Sequence, residues 1–146
     1  MEKSYCIQKK TDRRKYVMRM NTIIEELDRS SKTIAPEKLQ EVIKKIKEHK
    51  RIFVYGTGRS GLMLKAFAMR LMQIGLNSYV VGETTTPSVQ EGDLLIVASA
   101  SGETGSVCMT AESAVKQGVD LIVISSASES TLGKIHAPDI EIEAAT

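Results

Sequence analysis

The spacing of apolar residues changes character near Arg51. Upstream it is helical. Tyr16, Val17, Met20, Ile23, Ile24 and Leu27 recur at i, i+1, i+4, i+7, i+8 and i+11. That is one stripe of an amphipathic helix whose wet face carries the charges. Leu39, Val42, Ile43 and Ile46 form a second stripe behind Pro36, a residue suited to a first helical turn. Glu41 stands four residues before Lys45, and His49 and Lys50 close the segment where positive charge suits the helix dipole. His49 therefore reads as a cap or surface residue rather than as a base.

Downstream, short β-rich runs take over, at 52–55, 78–81, 93–98, 121–124 and a briefer 140–142. The middle runs are continuously apolar, as strands covered on both faces are. Helical segments separate them. Residues 62–74 are apolar at nearly every position except Lys65, Arg70 and Gln73, which predicts a largely buried helix stopping at Gly75. Residues 104–117 carry Val107, Cys108, Ala111, Ala114 and Val115 on one face and stop at Gly118. This alternation predicts right-handed βαβ units in a compact α/β domain with an N-terminal helical extension.

Composition narrows the function classes. A length of 146 residues suits one domain with a core of its own. Hydrophobic residues at 42% and charged residues at 26% are ordinary for a soluble globular chain. No apolar run approaches the roughly 18–20 residues of a membrane span, and residues 1–10 lack a signal-peptide core. The expectation is a cytoplasmic protein with no membrane partner. Net charge is +2, but residues 1–50 hold 14 Lys/Arg against 8 Asp/Glu, and residues 51–146 hold 6 against 10. The basic half suggests either an anionic partner or the solvated face of its helices, and the helical stripe favours the second. Balanced charge, 4% aromatics and no Trp argue against a nucleic-acid partner. Cys6 and Cys108 have no CxxC or Cys/His neighbours, so they read as reduced thiols rather than as metal ligands.

Ligands of open α/β sheets bind beyond the carboxyl ends of the strands. There this chain is rich in Gly, Ser and Thr: 56–61 (GTGRSG), 82–88 (GETTTPS), 99–104 (SASGET) and 125–128 (SSAS). Glycine lets backbone amides face a ligand, hydroxyls add donors, and a following helix N-terminus favours an anion. Two such loops could converge on one phosphate; the plainer alternative is that Ser and Thr merely cap helices. Gly56, Gly58 and Gly61 also satisfy G-x-G-x-x-G, with Glu83 following 22 positions after Gly61, the loosest form of a dinucleotide fingerprint. Against it stand the short chain, the charged Arg59 and Ser60 within the motif, and the second hydroxyl-rich loop, which that reading leaves without a role.

The stretches YGTGRSG (55–61), FAMRLM (67–72), VGETTTP (81–87), DLLI (93–96) and SASGET (99–104) resemble the sugar isomerase (SIS) domain family, and within it the 6-phospho-3-hexuloisomerase branch. The resemblance covers roughly residues 25–143. It implies a three-layer αβα sandwich whose five-stranded parallel sheet has flavodoxin-like order, preceded by a helical arm at 1–30, with the SIS domain at 31–146. It implies a phosphosugar substrate, no cofactor or metal, and a homo-oligomer, tetramer or dimer. Carried over residue by residue, Ser60 is similar to a substrate contact. Ser99, Ser101 and Thr104, with the backbone of Ala100, Gly102 and Glu103, are similar to the phosphate-binding loop. Gly58 and Arg59 shape the first loop, Arg59 facing the substrate or pairing with a carboxylate across subunits. Glu83 and Thr84 to Thr86 are pocket walls, unless Glu83 is only a strand-end residue.

The implied reaction interconverts D-arabino-hex-3-ulose 6-phosphate and fructose 6-phosphate through a cis-enediolate, which needs one general base and a stabilised oxyanion. The family's glutamate base lies after the fifth strand, at the start of a final helix. This sequence ends at Ala144, Ala145 and Thr146, so that helix is expected to be lacking, the catalytic residue is unassigned, and apolar sheet surface is expected to be uncovered. Glu103 would repel a phosphate unless turned away, and His136 reads as a loop residue. The alternative function is a non-catalytic sugar-phosphate-binding module.

Overall fold

The computed structural model describes the backbone of residues 2–142 and the side chains of residues 15–142. The Cys6 side chain and the sequence end at 144–146 lie outside them. The chain divides into two units, Met1–Thr33 and Ile34–Thr146. The first is a single helix, α1 (Glu2–Thr33). Its stripe residues Tyr16, Val17, Met20, Ile23, Ile24 and Leu27 all stand more than half exposed.

The second unit begins with α2 (Pro36–Glu48) and alternates strand and helix thereafter. The strands are β1 (Ile52–Gly56), β2 (Ser78–Val80), β3 (Leu94–Ala98), β4 (Asp120–Ser125) and β5 (Ile140–Glu141). The helices between them are α3 (Gly58–Gln73), α4 (Gly105–Lys116) and the short α5 (Thr131–Ile135). All pairings are parallel, in the order β2-β1-β3-β4-β5. This is the flavodoxin-like order, and the chain reverses its direction of travel across the sheet between β1 and β3.

The sheet has two cores because strand side chains alternate faces. Phe53, Leu95, Val97, Leu121 and Val123 meet Val107, Cys108, Ala111 and Ala114 of α4 and Leu132 of α5. Ile52, Val54, Leu94, Ile96 and Ile122 meet Val42 and Ile46 of α2 and Leu64, Ala68 and Leu71 of α3. Helices cover both faces, giving three layers. Each fully buried Ile, Leu, Val or Phe here contributes about 1.5–3 kcal/mol relative to an exposed one. Polar ties hold the amino end of the sheet. Arg51 Nε donates to Asp93 Oδ1 at 2.8 Å, and the Gln90 amide donates to Asp93 Oδ2 at 2.7 Å. Lys45 Nζ donates to Asp139 Oδ1 at 2.9 Å and to the Leu121 carbonyl at 3.1 Å, joining α2 to the far edge. His49 bridges the Lys45 carbonyl and Asp120.

One expectation is corrected. The 62–74 segment is a helix but is not largely buried. Only Gly61, Leu64, Ala68 and Leu71 of α3 are buried. Leu62 is 62% exposed, Met63 63%, Met72 56% and Ile74 70%. A helix laid on a sheet buries one stripe at i, i+3, i+7 and i+10, however apolar its other faces are. The strands also shift slightly: β3 begins at Leu94 because Asp93 turns to Arg51, and β4 runs from Asp120 to Ser125.

Candidate functional site

The loops after β1 and β3 flank the point where strand order reverses, the usual ligand crevice of such sheets. The loop after β1 depends on close backbone packing. A Cβ at Gly61 would lie 2.4 Å from the Gly56 carbonyl oxygen, so only glycine lets the first turn of α3 rest on the end of β1. The Gly61 amide donates to the Thr57 carbonyl at 3.1 Å. Thr57, the N-cap of α3, makes no side-chain cap.

The loop after β3 is a closed hydrogen-bonded turn. The Gly102 amide donates to the Ser99 carbonyl at 3.2 Å and to Ser99 Oγ at 3.1 Å. Ser99 Oγ lies 2.9 Å from Thr104 Oγ1. Ser99 is buried and accepts the Gly102 amide, while Thr104, the more exposed of the two, shares with it a hydroxyl–hydroxyl bond in which either oxygen can donate. Ser101 Oγ accepts the Glu103 amide at 3.2 Å, which leaves its own proton free to be donated. Thr104 is the N-cap of α4 but makes no side-chain cap, so the first-turn amides of α4 keep their outward donors. The helix-capping alternative for Ser99 and Thr104 is thus not how their hydroxyls are used.

Glu103 points away from this turn. Its Oε2 accepts the Thr131 hydroxyl at 2.7 Å and its Oε1 the Thr131 amide at 2.9 Å. These two donors, the hydroxyl foremost, hold the Glu103 carboxyl below the usual carboxylate range. Cys108 Sγ lies 3.4 Å from the Gly102 carbonyl, and burial, with the Glu103 charge adding to it, pushes its thiol pKa up.

The remaining expected residues are more dispersed. Glu83 accepts Lys65 Nζ at 2.6 Å, an exposed pair linking the loop after β2 to α3. Thr86 Oγ1 donates to the Val80 carbonyl at 2.7 Å and shapes that loop, whereas Thr84 is exposed. Gly58 opens α3 with φ +55°. Arg59 and Ser60 line an apolar groove of about 550 Å³ on the α2–α3 face, floored by Ile96, Ile122, Ile124 and Ile140. His136 bonds the Ala137 carbonyl and lies 3.5 Å from Asp139. Sequence reasoning missed Thr131, because a single threonine opening a five-residue helix carries no motif. Its neighbours Ser125 and Ser126 were visible as hydroxyls at a strand end.

Residues 45–145 match the SIS domain family model. A 3-hexulose-6-phosphate isomerase of Mycobacterium gastri is 38% identical over 126 residues, 86% of this chain and 63% of the relative. One of Bacillus subtilis is 43% identical over 112 residues, 77% of this chain and 60% of the relative. A solved Methanococcus jannaschii protein, for which a 3-hexulose-6-phosphate isomerase function has been inferred, superposes with a TM-score of 0.65 at 40% identity. It covers 75% of this chain and 62% of its own. The chain spans 42% to 63% of the length of the curated relatives it matches.

Proposed function

The chain belongs to the SIS domain family, and on that premise we propose that it acts on a phosphosugar, interconverting D-arabino-hex-3-ulose 6-phosphate and fructose 6-phosphate. The observation that carries the proposal is the 99–104 turn. Its Ser101 hydroxyl and the first-turn amides of α4 are free to donate, the Thr104 hydroxyl stands at the same helix start, and its one carboxylate is turned aside. Such a turn at a helix N-terminus suits a phosphate monoester. The names of the 38–49% identical relatives support the same substrate class.

In this reading the phosphate anchors one end of the sugar and fixes the keto group in the crevice, where orientation alone removes much of the barrier. A base takes the proton from C2 of the 3-ketose. In the resulting cis-enediolate the hydroxyl proton passes from O2 to O3, and reprotonation at C3 leaves the carbonyl at C2 with no net oxidation. Ser60, Gly58 and Arg59 contribute the wall on the β1 side, and Glu83 and Thr84 the wall beyond β2. No proton-transfer role is assigned to Glu83, Glu103 or His136, each already engaged by Lys65, Thr131 or the Ala137 carbonyl.

The test pairs calorimetric binding of fructose 6-phosphate with an isomerase assay that supplies the 3-ketose and detects fructose 6-phosphate. Replacing Ser101 and Thr104 together by Ala is expected to weaken binding by about tenfold or more, two charge-assisted hydrogen bonds being lost. Unchanged binding in the double variant would sink the site. Stabilisation by NAD(H) instead of the sugar phosphate would favour a dinucleotide ligand.

A further inference from the structure

The 99–104 turn is braced from behind by the segment that joins β4 to α5. The Ala100 carbonyl accepts the Ser126 amide at 3.1 Å and the Ser126 hydroxyl. The Gly102 carbonyl accepts the Leu132 amide at 2.9 Å. A trans peptide points its C=O and N–H in opposite directions. Drawing the Ala100 carbonyl toward Ser126 therefore turns the Ser101 amide the other way. The Glu103 carboxylate completes the brace through both Thr131 donors, across 28 residues of sequence.

We infer that Thr131 is a positioning residue for the anion site: through the Glu103 carboxylate it clamps the turn to the start of α5, which aims the turn's donors outward and holds the one negative charge of the turn away from the ligand. The inference rests on the phosphate-binding reading proposed above. Two consequences separate it from a purely structural role. First, the clamp acts on affinity, because a loosened Glu103 approaches the anion and repels it. Second, the effect runs through Glu103 and disappears when that side chain is gone.

The experiment measures dissociation constants for fructose 6-phosphate and for inorganic phosphate at a temperature where circular dichroism shows every variant folded. Thr131→Val removes the hydroxyl and is expected to weaken both ligands about three- to tenfold, because a loosened Glu103 carboxylate approaches the bound anion. Thr131→Ser restores the donor and is expected to bind within about twofold of wild type. In a Glu103→Ala background, adding Thr131→Val is expected to change affinity by less than about twofold. If wild type binds and Thr131→Val binds equally well, or weakens binding as much without Glu103, the positioning role is overturned while the site stands. If wild type binds neither ligand, the phosphate site itself falls, and the positioning role with it.

Discussion

Replacing Gly102 by alanine tests whether site and fold share one packing solution. Gly102 has φ +66°, and a Cβ there would lie 2.0 Å from Ser130 Oγ and 2.5 Å from Ser130 Cβ. Ser130 cannot simply swing away. It is buried, its Oγ donates to the Ala127 carbonyl at 2.6 Å, and the same oxygen accepts the Gly133 amide at 3.1 Å as the N-cap of α5. A left-handed conformation costs a non-glycine residue about 1–2 kcal/mol. Forcing a methyl group into a filled space costs about 1–3 kcal/mol more. Gly102→Ala is therefore expected to destabilise by about 2–5 kcal/mol. Ser130→Gly removes both clashing atoms and leaves Ser125 Oγ, at 3.3 Å, as the next neighbour. In that background the same substitution should cost only the backbone strain, about 1–2 kcal/mol. Urea denaturation followed by far-ultraviolet circular dichroism across the four-protein cycle gives the coupling directly. A Gly102→Ala cost below about 0.5 kcal/mol, or an identical cost with and without Ser130, would refute the reasoning.

Glu103 gives a pH signature. Its folded pKa lies below the ordinary value of 4.5, so its stabilising contribution is present above that value and is lost as pH falls through the lower folded value. The stability gap between wild type and Glu103→Gln is expected to be widest near neutrality and to close as pH drops below about 4.5; a gap constant from about pH 6 to 3 would contradict the ion's role. On α3, Leu71→Ala is expected to cost about 2–5 kcal/mol and Leu62→Ala less than about 0.5 kcal/mol, because only the first faces the sheet. Equal losses in chemical denaturation would mean that the exposed face of α3 is not exposed in solution.

Much of the architecture could be read from local pattern. The change from helical spacing to short β-rich runs near Arg51 marks where the sheet begins. Continuous apolarity in 94–97 and 121–123 indicates strands covered twice, and both cores are built on them. The glycine, serine and threonine clusters after β1 and β3 locate the crevice, because turns and helix starts leave their demands in adjacent residues. The helix over 62–74 was legible as a helix but not as half exposed. Composition tells what a residue could bury, whereas only the placement of a sheet on one side tells what it does bury.

By itself, then, the sequence determined the order and type of the elements, the positions of the Gly-, Ser- and Thr-rich loops and the glycines that such turns require. These are short-range consequences of periodicity and backbone sterics. The strand order that puts the β1 and β3 loops side by side was legible only through the family resemblance, not through local pattern, and tertiary structure alone decided the bonding of Glu103 to Thr131. It also decided the bracing of residues 99–104 by Ser126, Thr131 and Leu132. Those partners lie more than 25 residues apart, and no local pattern records which carbonyl a distant amide will meet. That choice is made when two loops are folded onto the same end of one sheet, where each buried polar group must find a partner.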